Sequence, residues 1–94
     1  MTETPITHDA GRQRFETEVD GHLAYAEYDL RDGVMHFTGT QVPTAIGGRG
    51  IAGRLVRHGL DFARDRGYEI VPACSYVAAW LKRHPEYQDL RHAG

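Results

Sequence analysis

The sequence predicts a small mixed α+β domain: an antiparallel β-meander, a glycine-rich loop, an α-helix, a β-strand and a second α-helix. Three observations carry the prediction. Two Asp-Gly pairs, Asp20-Gly21 and Asp32-Gly33, punctuate alternating apolar and polar runs, and such pairs are the strongest short-range hairpin signal. Beyond Pro43 the apolar period lengthens from two residues to about 3.6, the helical value. The chain has 94 residues, 40% hydrophobic and 26% charged, enough for one core and no more. A single domain over residues 1–94 follows, either a compact three-layer form or one sheet with helices. Its first twelve residues are expected to be mobile apart from an edge strand.

Order is expected to begin near Arg14. Phe15-Glu-Thr-Glu-Val19 alternates as a strand, Leu23 to Leu30 returns beside it, and Val34 to Val42 supplies a third strand. Gly39 inside the third strand predicts a bulge or a close backbone approach. In the next segment Ile51, Ala52, Leu55, Val56, Gly59, Leu60, Phe62 and Ala63 share one half of a helical wheel, with Arg54, Arg57, His58, Asp61, Arg64 and Asp65 on the other. Gly67 is placed to end that helix. Tyr68 to Val71 reads as a short buried strand closed by Pro72. The second helix starts after Ser75, read as its N-cap, turns Val77, Trp80 and Leu81 inward, and stops at His84 before Pro85.

Composition narrows the function. A formal net charge of -2 disfavours a protein built to coat nucleic acid or an anionic membrane, so an anion site must be local. The one cysteine, Cys74, cannot close an internal bridge, and the first ten residues lack a signal-like apolar core; together they point to the reducing cytoplasm. No apolar run reaches the roughly 20 residues that span a bilayer.

The stretch Gly48-Arg-Gly-Ile-Ala-Gly53 satisfies G-x-G-x-x-G, yet its context is not that of a dinucleotide site. Pro43 to Gly47 separate it from the preceding strand, and Glu69 opens its strand where the fingerprint needs an acid that closes one. No Lys-Ser/Thr pair follows, which removes the P-loop reading. What remains is common to all such loops: glycines allow close approach, and unpaired N–H groups at a helix start favour anions. A pyrophosphate fits, with Arg49 and Arg54 adding charge. A plain glycine-rich turn with solvated arginines is the competing reading.

"TQVPTAIGGRGIAGRLV" followed by "GYEIVPACSYVAAWLKRHPEYQDL" resembles the GNAT superfamily of acetyl-CoA-dependent N-acetyltransferases, in particular its short single-domain subgroup. The resemblance runs from about Arg14 to Leu90. It implies a GNAT-like fold and an enzyme that transfers acetyl to an amine acceptor. The superfamily loop Q/R-x-x-G-x-G/A falls on Gly47 to Ala52, so the amides of Gly48, Arg49, Gly50, Ile51 and Ala52 would bind the coenzyme A pyrophosphate. The pantetheine arm would lie along Thr40, Gln41 and Val42, opposite Glu69 to Val71. Val42-Pro43, Pro72-x-Cys74 and His84-Pro-Glu-Tyr87 strengthen the match.

Three positions depart from the pattern. Gly47 replaces the usual Arg or Gln, leaving Arg49 as a substitute phosphate ligand. Gln41 stands where many short relatives carry Glu, and an amide cannot act as a base. Trp80-Leu81 lie about where larger relatives place a thiolate-protonating tyrosine. Cys74 lies at a strand end before a helix, and the resemblance implies that it faces the acetyl thioester, as a candidate to protonate the thiolate, orient the acetyl group or become acetylated; a small buried side chain is the alternative. His36 and His58 are bases by residue type, and half-exposed surface residues otherwise. Lys82 and Arg83 are placed for the coenzyme's 3′-phosphate or for solvent. The six histidines show no metal-ligand spacing.

The expectation is therefore an acetyl-CoA-dependent transferase that uses direct attack by an amine in a ternary complex, with no metal. A coenzyme A-binding module with little activity is the alternative. Nucleic acid and membrane are not expected as partners, and a monomer or weak dimer is.

Overall fold

The computed structural model describes residues 4–93. Five strands form one sheet in the order β1-β2-β3-β4-β5: β1 (Thr7–Asp9), β2 (Arg14–Val19), β3 (His22–Arg31), β4 (Val34–Gln41) and β5 (Glu69–Pro72). Two helices, α1 (Ile51–Arg66) and α2 (Ser75–Lys82), and two short 3₁₀ segments, Thr44–Ile46 and Pro85–Leu90, complete it. The architecture is the expected α+β one. The edge strand among the first residues is present at Thr7–Asp9, paired with β2; residues 1–3 of the segment expected to be mobile lie outside the described residues.

Both hairpins follow from their turns. Asp20, Gly21, Asp32 and Gly33 all have positive φ, between 51° and 78°, the geometry whose twist matches that of the flanking strands. Val19 thus pairs with His22, and Arg31 with Val34. The interruption expected at Gly39 is a β-bulge: Tyr28 pairs with Phe37 but Glu27 pairs with Gly39, leaving Thr38 as an extra residue. β5 then joins β4 in parallel through the α1 crossover.

Strand alternation puts Phe15, Thr17, Ala24, Ala26, Tyr28, Met35, Phe37 and Ile70 on one face, all buried. α1 adds Leu55, Val56, Leu60 and Ala63 to the same core, and α2 adds Val77, Trp80 and Leu81. The domain is accordingly one sheet with its helices on a single face. The three-layer alternative is set aside because the opposite face carries Arg14, Glu16, Tyr25, Glu27, Asp29 and His36, none of them buried.

α1 ends as its sequence dictates. Gly67 adopts φ 72°, and the Tyr68 amide donates to the Ala63 carbonyl at 2.9 Å, closing a Schellman-type turn. α2 starts one residue earlier than expected: Cys74, not Ser75, is its N-cap, and no side chain caps it. His84 donates Nδ1–H to the Trp80 carbonyl at 2.8 Å, and its ring stacks on the Trp80 ring at 3.6 Å. Tyr87 is buried, with its hydroxyl donating to Asp61.

The outer edge of β5 is partly closed. Arg91 bridges to Ile70, and the His92 amide donates to the Ile70 carbonyl at 2.8 Å. No helix among the described residues is long and apolar enough to cross a membrane.

Candidate functional site

β4 and β5 stay paired for only four residues, from Val34/Glu69 to Phe37/Pro72. Pro72 has no N–H to continue the ladder. The Ala73 amide turns back onto the Val71 carbonyl at 3.0 Å, and the Cys74 amide donates to the Phe37 carbonyl at 2.8 Å. On the other side the Thr38 bulge redirects β4 at the same level. The two strands therefore part, and the chain past the break supplies Gly39 to Val42 on one wall and Ala73 to Ser75 on the other.

Thr40 and Cys74 meet across this opening, with Oγ1 and Sγ 3.8 Å apart. Thr40 pairs with the buried Ala26, so both groups lie on the core side of β4. Cys74 is half-buried and packs on the core. Gln41 pairs with Tyr25 on the open face and is exposed; Val42 is half-buried.

Next to the opening stands the start of α1. Gly48 and Gly50 have φ of 76° and 73°, and a Cβ on either would meet no atom within 4 Å. The backbone is open to an approaching group there. Gly50 is the N-cap, with no side-chain cap, and the first turn holds no acidic residue. The first i to i−4 bond runs from the Arg54 amide to the Gly50 carbonyl at 3.2 Å, so the amides of Ile51, Ala52 and Gly53 precede the helical ladder. These features suit a pyrophosphate, with a positive dipole end and no acidic residue in the first turn.

The arginines are engaged elsewhere. Arg49 pairs with Asp20 of the β2–β3 turn at 2.7 Å, and Arg54 donates to the Thr4 carbonyl at 2.5 Å. A groove of about 420 Å³ runs from there along the outer flank of α1, between Thr4–Pro5 and Arg54, His58 and Asp61. Neither Cys74 nor Thr40 lines this groove. Arg83 caps the far end of α2 with an exposed side chain.

The two catalytic candidates are not brought together. His36 pairs with Asp29 and Val71 and alternates onto the open face, whereas Cys74 is on the core side. His58 is exposed on α1, its ring edge-on to Phe15 at 5.6 Å.

Tyr76 escaped the sequence reading. A Cβ placed on Gly53 would stand 3.6 Å from its hydroxyl and 3.4 Å from Trp80 Nε1, so a phenol sits beside the first turn of α1. Its position two residues after Cys74 was the available signal, and only the packing of α2 on α1 gives it meaning.

Comparison with known proteins agrees with this geometry. The model of the GCN5-related N-acetyl-transferase family matches residues 14–90. Protein NATD1 of Gallus gallus is 32% identical over 92 residues, covering 93% of this chain and 82% of that protein. Its Homo sapiens counterpart is 31% identical over 85 residues, with 85% and 74% covered. The NMR solution structure of a GCN5-like N-acetyltransferase candidate from Staphylococcus aureus superposes with a TM-score of 0.76, over 98% of this chain and 91% of that one, at 24% identity. With its fold matched and its family model spanning both the glycine loop and the Cys74 helix, the chain belongs to the GCN5-related N-acetyltransferases.

Proposed function

We propose that the protein transfers acetyl from acetyl-CoA to an amine by direct attack. The observation that carries this reading is the parting of β4 from β5 beside an uncapped, acid-free helix start. The amides from Gly48 to Ala52 hold the pyrophosphate. The pantetheine arm enters between Thr40–Val42 and Ala73–Cys74, which brings the thioester to the Cys74–Thr40 pair. Arg49 contributes to the phosphate only by leaving Asp20, whereas the Tyr76 hydroxyl already stands at the first turn.

Coenzyme A supplies an activated acyl group as a thioester; the chain supplies position. The amine must be neutral when it attacks, and a lysine-like ammonium with pKa about 10.4 is charged at pH 7, a cost of about 4–5 kcal/mol. The nitrogen lone pair forms the C–N bond and the C–S bond breaks. One proton of the original ammonium goes to solvent and a second ends on the departing sulfur.

Thermal unfolding with acetyl-CoA, NADH and dephospho-coenzyme A tests binding. A ligand at about 100 times its Kd adds roughly 2.7 kcal/mol, or about 10 °C or more for a domain of this size. A shift with acetyl-CoA and none with NADH is expected, followed by amine-dependent release of free thiol. Binding without release across alkylamines and arylamines would leave only the coenzyme-binding module.

A further inference from the structure

We infer that Glu27 is the group that receives the acceptor: the amine enters from the open face of the sheet as an aliphatic ammonium ion, and the Glu27 carboxylate binds it at the strand opening. This rests on the transferase reading above and adds the direction of approach, the residue and the substrate class.

Glu27 is placed by the bulge. The extra Thr38 residue sets Glu27 opposite Gly39 instead of Thr38, and the glycine has no side chain to fill the space between them. Glu27 Oε1 stands 3.7 Å from where a Gly39 Cβ would be, so the carboxylate leans over the bare β4 backbone. Gly39 lies two residues after Phe37, whose carbonyl receives the Cys74 amide, and directly before Thr40, whose hydroxyl faces Cys74 Sγ. The carboxylate and the sulfur thus sit on opposite sides of β4 at the level where β5 leaves it. The inferred route of the amine from Glu27 to the thioester is the gap that β5 leaves beside β4.

Its neighbours are otherwise occupied. Arg14 pairs with Glu27 in register, but its Nε donates to Glu16 at 2.6 Å and its guanidinium lies over the Tyr25 ring at 4.7 Å. Asp29 pairs with Arg31, and Glu69 with His92. Among the described residues, the Glu27 side chain makes no hydrogen bond or ion pair, and the residue is exposed. The other open-face carboxylate without one, Glu18, sits opposite Leu23 on β2, away from the opening. Tyr25, one pleat from Glu27 on the same face, offers a ring against which an aliphatic stem can lie.

An ammonium paired with Glu27 is held by a charge-assisted hydrogen bond, with its stem extending over the sheet. An arylamine, uncharged at pH 7, gains nothing from the carboxylate.

Two measurements on Glu27→Gln test this: the KM and kcat for butylamine and for aniline, and NMR titration of the coenzyme A-saturated protein with butylamine. Wild type is expected to shift the Gly39 and Tyr25 amides saturably. The variant should lose that response, raise the butylamine KM about tenfold, and leave kcat within about twofold and aniline unaffected. Glu18→Gln should behave as wild type. Gly39→Val, which fills the space under the carboxylate, should reproduce the KM increase. Butylamine transfer with an unchanged KM in Glu27→Gln would overturn the inference and leave the transferase reading intact. Glu27-dependent amine binding without any acetyl transfer would uphold it and sink the transferase reading. Shifts mapping to another surface would overturn it outright.

Discussion

Cys74 Sγ and Thr40 Oγ1 face each other at 3.8 Å across the point where β4 and β5 separate. If the thioester rests between them, the sulfur is a working group. Cys74→Ala should then lower kcat at least tenfold with little change in melting midpoint. Amine-dependent thiol release measures it, with thermal unfolding as the folding control. Unchanged turnover would assign Cys74 to packing.

Gly50→Ala separates the loop's conformation from its chemistry. At φ 73° a side chain has space but the backbone is strained, at a cost of about 1–2 kcal/mol. Relaxing that strain swings the first-turn amides away from a bound pyrophosphate. Acetyl-CoA affinity should fall about tenfold by calorimetry, while Gly33→Ala, strained in the same way at φ 76° in the β3–β4 turn at the other end of the sheet, should destabilise without changing affinity.

Tyr76→Phe removes one hydroxyl beside the first turn of α1 and no carbon. A single neutral hydrogen bond is worth about 0.5–1.5 kcal/mol. Coenzyme affinity should drop about three- to tenfold, read by the same calorimetry, with the unliganded melting midpoint unmoved.

Gly59 lies within the core face of α1, where glycine usually costs about 1 kcal/mol relative to alanine. Here the sign reverses. A Cβ would stand 2.9 Å from Phe37 Cε1 and 3.1 Å from Phe15 Cε2, and both rings are fully buried. Overpacking of this kind costs about 1–3 kcal/mol, so Gly59→Ala should lower the melting midpoint by roughly 5 °C or more. A raised midpoint would show that α1 can lift off the sheet cheaply.

His8 links stability to pH. Its ring stacks on Phe15 at 4.3 Å, and its Nε2 is bonded to the Tyr28 hydroxyl. Burial, then His58 and Arg66, lower its pKa from 6.5, with Asp9 opposing. The unfolded chain therefore binds the proton more readily than the folded one. The stabilisation is fully present above about pH 6.5 and is lost as pH falls through the folded value. Melting midpoints measured from pH 7.5 to 5 should decline, and His8→Phe should flatten the decline.

Much of this was legible in the sequence because the signals were local. Asp-Gly turns fix register within two residues, and Gly67 names its own helix end. The loop, from Gly48 to Ala52, was equally plain. What stayed hidden depends on long-range register. Glu27 acquires its place only through the Thr38 bulge, and Tyr76 only through the approach of α2 to Gly53. Arg49 and Arg54 read as phosphate ligands, but their partners, Asp20 and Thr4, are 29 and 50 residues away. Alternation turns His36 away from Met35 and Phe37, but the side on which Cys74 lies is fixed only by its contact with Thr40, 34 residues away.

The outer strands also bear on how the molecule behaves in a crowd. β1 has three residues, and β5 has four with a proline at its end. The Ile70 carbonyl, at the middle of β5, is already taken by His92. Among the described residues, neither border offers a run of free amides and carbonyls long enough to template another chain. Concentrated solutions should therefore resist fibre formation by strand addition, and trimming the chain after Leu90 should expose the one border that depends on a tail for its protection.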